Sequence, residues 1–331
     1  DWAYQATFDD EEIDKERGVV MEEWRLRLGA QERMRQQIWP ITLAGSRYAE
    51  RLPIGKPEVL ENFAYDAAKR FYRDWYRPDL MAIIAVGDFD AVEMEKKIKT
   101  FFGPMRGPKN PKERKYYSRT DFDGTRVAVA SDDEATGNTI SVEFITPGVV
   151  KTENTLASFR KSVMRGLYST MINQRLSELV QSENPPFQFS FSNYGGTLGK
   201  DKSAYTMYVS VKEDQFAQGL KAAVSANERV RRYGFTEGEL ERAMASYRNS
   251  YERGVKEADK AESWRIVNSY VNHFLNGGSL LNAAQRLEYL NTVLPTIKIE
   301  ELNGLVKDWI TTTNRTIEIN AKSANADKIP T

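Results

Sequence analysis

The hydrophobic pattern of the chain switches between helical and strand periods. A helical pattern opens near Asp9 and runs through Trp24, Leu28 and Met34 to Pro40, which cannot continue it. Asp9 stands at the N-cap with Glu12 three residues on, and Phe8 and Ile13 occupy staple positions, a capping-box arrangement. A turn at Pro53 and Gly55 follows, and Pro57 suits the first position of a short helix. Residues 65–76 read as a helix whose Phe71, Tyr72, Trp75 and Tyr76 form a core stripe, stopped by Pro78. The continuous apolar run Met81-Ala82-Ile83-Ile84-Ala85-Val86 predicts a buried strand. Asp88-Phe89-Asp90 follows, an acidic cap opening a helix over 91–102.

Gly103 to Ser118 holds Pro104, Gly107, Pro108 and Pro111 among several Lys and Arg, the composition of a linker. Beyond it, residues 125–130 and 138–146 read as strands, the second alternating Ile140, Val142 and Phe144 with polar positions. A helix over 154–181 carries Phe159, Val163, Leu167, Met171, Leu176 and Leu179 on one stripe until Pro185 and Pro186. Residues 187–198 and 203–211 predict a hairpin turning at 199–202, with Phe187, Phe189 and Phe191 on one face and a bulge near Tyr194-Gly195-Gly196. Helix 213–232 follows. Thr236 and Glu239 then form a second capping box, which opens a long helical region to about Leu275, softened at Gly254. Helices over 280–290 and 299–310 and a strand over 316–320 complete the order, and the polar tail 321–331 reads as the start of an onward linker. The class expected is α+β: mixed or antiparallel sheet with helices packed on one face.

The 331 residues suggest two domains: 1–103, the linker 104–118, and 119–331. Lys+Arg and Asp+Glu both number 47, so bulk charge argues for neither nucleic acid nor anionic membrane. No apolar run approaches the roughly 20 residues needed to span a bilayer. The chain opens on Asp1 with no signal-like segment and reads as an excised piece. The lone Gly87 before Asp88 offers no phosphate cradle. There is no Cys, hence no disulfide or thiolate metal site. The single histidine, His273, reads as a packing or capping residue, and neither H-x-x-E-H nor H-E-x-x-H can be written anywhere in the chain.

Glu16 and Glu23 stand seven residues apart on the first helix. Seven steps of about 100° return to within roughly 20° of the start, about 10 Å along the axis, so both carboxylates point to one side. On spacing alone this is a solvated acidic face. The pattern Glu16-Arg17-x-Val19-Val20-x-x-Glu23, however, resembles the distal glutamate segment of the pitrilysin/insulinase family of zinc metallopeptidases, whose catalytic motif is an inverted H-x-x-E-H. The Pro53-x-Gly55 turn, the Phe71-Tyr72-x-x-Trp75-Tyr76-x-Pro78 helix end, the Val86-Gly87-Asp88 turn and Met171-Ile172-Asn173-Gln174-Arg175-Leu176 follow in the family's order.

The resemblance covers nearly the whole chain and implies pitrilysin-like domains, one partial and one complete, lacking the H-x-x-E-H segment. It implies that Glu23 is a zinc ligand and that Glu16 is an auxiliary acidic residue. Zn2+ would belong to the intact protein and not to this chain alone. The partners implied are peptide substrates and a second half or partner subunit of a peptidase chamber, with no nucleic acid and no membrane span. Two functions stay open. The chain is a fragment of a zinc endopeptidase, supplying the distal Glu and chamber wall but inactive alone, or it is a non-catalytic scaffold half of such a peptidase. The sequence does not fix the compartment; for a bacterial source the resemblance favours the periplasm, with cytoplasm as the alternative.

Overall fold

The computed structural model describes residues 3, 5–151 and 153–330; the opening Asp1 and the final Thr331 of the expected linker lie outside the described residues. The helices, in chain order, are α1 (Asp10–Leu26), α2 (Ala30–Thr42), α3 (Pro57–Asn62), α4 (Tyr65–Trp75), α5 (Ala91–Phe102), α6 (Leu156–Val180), α7 (Phe216–Tyr233), α8 (Glu237–Lys256), α9 (Ser263–Asn276), α10 (Ala283–Val293) and α11 (Ile299–Trp309). The strands are β1 (Thr125–Asp132), β2 (Asn138–Pro147), β3 (Phe189–Gly196), β4 (Lys202–Val211) and β5 (Arg315–Lys322). The chain divides into two compact units. The first holds residues 1–27, 52–116 and 260–280; the second holds 28–51, 117–259 and 281–331.

The second unit is built on one five-stranded sheet, ordered β1-β5-β2-β4-β3. The β1–β5 pair is parallel and the other pairs are antiparallel, so the sheet is mixed as the α+β reading expects. Alternation sorts the side chains. Ile140, Val142 and Phe144 of β2 and Tyr205, Met207 and Val209 of β4 turn to one face, where they meet Val163, Leu167, Ile172 and Leu176 of α6 and residues of α7, α8, α10 and α11. Burying a side chain of this size contributes roughly 1.5–3 kcal/mol. The opposite face carries Ala128 and Ala130 of β1, covered by Met34 and Ile38 of α2. A helix on that second face is an addition to the one-sided packing expected from the sequence.

Within the core, Tyr205 donates to Asn227 Oδ1, and Asn227 Nδ2 donates to Ser192 Oγ (3.1 Å) and to the Ala223 carbonyl (2.9 Å). All three side chains are buried, and pairing offsets their desolvation.

Several boundaries differ from the pattern, each for a local reason. The single helix expected over 9–40 is two, because Gly29 takes an extended conformation (φ −68°, ψ 168°) and caps α2. Pro40 lies inside the last turn of α2. Asp9 occupies the N-cap of α1, but its side chain makes no cap bond, and Glu12 is drawn to Lys15 instead. The long region to Leu275 breaks after Lys256, two residues past Gly254, and resumes as α9. The expected Phe run is split: Phe187, before β3, enters the core, while Phe191 of β3 stacks on Tyr208 of the other face. The β3–β4 register continues unbroken through Gly195 and Gly196, so there is no bulge there.

The first unit has a different character. Residues 81–86, expected as a buried strand, form no ladder, and Ile83 is 44% exposed. Val92 and Phe101 of α5 are 73% and 76% exposed, and no residue of α5 or α9 is buried. Of the α4 aromatic stripe only Tyr72 is buried; Phe71 and Tyr76 line an open hollow of about 600 Å³ with Phe8, Val59 and Phe63. The amphipathic pattern that predicts a core is present, but the described residues do not supply what would cover it.

Candidate functional site

Helix α1 places both predicted site residues in the first unit. Its packing side is Ile13, which is buried, with Arg17, Val20, Met21 and Trp24 half-buried. Glu16 and Glu23 flank that side and are exposed. Glu16 lines a hollow of about 550 Å³ together with Phe8, Ile13, Val20, Leu60 and Phe63. Glu23 lies two turns on, its side chain 47% exposed and ion-paired with Arg27. Neither carboxylate is sunk in apolar packing.

Arg17 orients this helix, and the pattern reading gave it no role. Its guanidinium donates to the carbonyls of Leu60 (2.6 Å) and Phe63 (3.1 Å), and it lies 4.0 Å from the centre of the Phe63 ring. Those carbonyls sit at the C-terminal end of α3, where helix carbonyls lack partners within the helix. Arg17 therefore ties α1 to the α3–α4 turn and fixes the side on which its neighbour Glu16 stands. Its place beside Glu16 in the Glu-Arg pair was legible; its targets, more than forty residues away, were not.

A catalytic zinc usually takes three protein ligands and one open position. Among the described residues no group of three or more His, Cys, Asp or Glu could hold a metal ion. His273 is committed elsewhere: its Nδ1 lies 2.6 Å from the Gly278 carbonyl at the end of α9, where Gly277 adopts the left-handed conformation. The described residues thus bring no zinc donor set together. Glu23 offers at most one ligand.

Residues 62–247 match the peptidase M16 inactive domain. The chain belongs to the peptidase M16 family. This agrees with the pitrilysin/insulinase resemblance carried by the ordered motifs. The match begins after α1, so Glu16 and Glu23 stand outside it. A PQQL-like zinc protease of Arabidopsis thaliana is 29% identical over 88% of this chain and 28% of its own length. A probable zinc protease PqqL of Haemophilus influenzae is 26% identical over 97% of this chain and 34% of its own length. The chain thus spans about a third of these relatives. The crystal structure of the first half of the periplasmic protease PqqL from Escherichia coli superposes with a TM-score of 0.89 at 23% identity, covering 100% of this chain and 70% of that one. That likeness shows the M16 fold.

Proposed function

We propose that this M16 chain is part of a zinc-dependent endopeptidase, in which it supplies the distal glutamate ligand and a wall of the peptide chamber and is inactive alone. Glu23 is the zinc ligand and Glu16 the auxiliary acidic residue that orients the metal shell from outside. The zinc, when bound, lowers the pKa of a water and polarises the peptide carbonyl. The reading is carried chiefly by one observation: α1, tied down by Arg17, presents Glu16 and Glu23 outward from a unit whose apolar residues are uncovered. The unpaired run 81–86 and the bare apolar positions of α5 support a further segment of the parent protein completing this unit and bringing the imidazole ligands.

On this reading, residues 1–103 are the C-terminal part of the metal-binding domain, 104–118 the linker, and 119–331 the second domain. That division follows chain order; spatially, residues 28–51 group with the second unit and 260–280 with the first. The partners are peptide substrates and the other half of the chamber. The Escherichia coli protein is a periplasmic protease, which favours an exported location.

A second reading is the non-catalytic scaffold half. It is favoured by the match to the family's inactive domain and by the Arg27 ion pair that engages Glu23. Zinc content and hydrolysis of a quenched fluorescent peptide, measured for this chain and for the full-length parent, separate the two. The peptidase reading expects both properties in the parent and neither in the chain. Activity of the isolated chain contradicts the proposal, and a parent without zinc selects the scaffold.

A further inference from the structure

The edge strands of the five-stranded sheet are β1 and β3, and an edge strand offers unpaired backbone groups to any extended segment. At the middle of β3 one residue's pair of these groups is already taken. Asn173 of α6 donates from Nδ2 to the Ser192 carbonyl (3.0 Å) and accepts at Oδ1 from the Ser192 N–H (2.8 Å). Ser192 lies in the middle of β3, opposite Met207 of β4. In an antiparallel ladder both backbone groups of a residue point to the same side, so the pair that meets Asn173 points away from β4. A carboxamide carries the donor and acceptor of a peptide group. Asn173 therefore stands where one residue of an added strand would stand.

The plug is held from both sides. On α6, Ile172 and Leu176 are fully buried, and Arg175 is anchored to Glu239 and to the Gly234 carbonyl. On β3, the Ser192 side chain is buried and accepts from Asn227. The helix that carries Asn173 is therefore fixed beside β3.

We propose that Asn173 closes the β3 edge to extended peptides, so that this sheet does not take a peptide strand on that side. The inference concerns the second unit alone and does not rest on the zinc ligand assignment.

The test uses the full chain, amide hydrogen exchange at Ser192, and a fluorescein-labelled peptide copying residues 202–211. In the wild-type chain the Ser192 amide should be protected and the peptide should not bind. In Asn173→Ala, with the fold verified by near-ultraviolet circular dichroism, Ser192 exchange should rise about tenfold or more. The peptide should then bind saturably and restore protection. Asn173→Asp keeps the acceptor but sets a carboxylate against the Ser192 carbonyl, and should raise exchange less. Rapid Ser192 exchange in the wild-type chain overturns the proposal without any variant. So does peptide binding to the wild-type β3 edge, or a folded Asn173→Ala chain that leaves Ser192 protected or fails to bind the peptide.

Discussion

Arg175 on α6 grips Glu239 on α8 with two hydrogen bonds, Nε to Oε1 at 2.6 Å and Nη2 to Oε2 at 2.9 Å. Glu239 also closes the capping box of α8 with Thr236, and Arg175 reaches the Gly234 carbonyl at the end of α7. One bidentate pair thus joins three helices. Burial pushes the Glu239 carboxyl up, but the hydrogen bonds from Arg175 and Thr236 outweigh it and hold it down at about 2. The folded value lies below the ordinary 4.5, so the stabilisation is fully present above 4.5 and is lost as pH falls towards 2. Arg175→Ala should cost about 2 kcal/mol at pH 7. Urea midpoints at pH 7 and pH 3 should differ less in Glu239→Gln than in the wild-type chain.

Glu318 should behave in the opposite sense. It lies on the α2 face of β5, where burial and the nearby Glu143 push its carboxyl up, while the Thr42 hydroxyl and Arg119 pull it down less strongly. A raised folded value favours the protonated form, so its contribution is present below the ordinary 4.5 and is lost as pH rises through the folded value. Glu318→Gln keeps the shape without the buried charge. Its thermal midpoint at pH 7 should equal or exceed that of the wild-type chain, and the gap should close at acid pH. A lower midpoint at pH 7 would show the charge itself to be stabilising.

Arg17→Ala should loosen the first unit while leaving the sheet unit intact. It removes two bonds to carbonyls at the end of α3 and should cost about 1–2 kcal/mol. Hydrogen exchange should rise over 57–64 and along α1, with no change in β2 or β4. Uniform faster exchange across the whole chain would contradict a local tie.

Helix and strand periods, the second capping box and the hairpin turn were legible because neighbours within the chain decide them. Thr236 and Glu239 meet as their spacing requires, and Lys202 N–H closes on the Gly199 carbonyl. Residues 81–86 misled because a continuous apolar run reports an intent to be buried, not the presence of pairing strands. The break at Gly29 was hidden by apolar positions that continue the helical period on both sides. The carboxylates of Glu16 and Glu23 could be placed on one side of α1 from geometry, but the role of Arg17 and the Asn173 plug depended on tertiary contacts that no local spacing encodes.

Zinc affinity of the full-length parent protein, compared between wild type, Glu23→Gln and Glu16→Gln by competition with a chromogenic chelator, decides whether α1 bears metal. Replacing an outer acidic residue should weaken zinc about 10–100-fold, and replacing a direct ligand should weaken it more. Unchanged zinc affinity in Glu23→Gln would contradict the assignment of α1 as a metal-bearing helix.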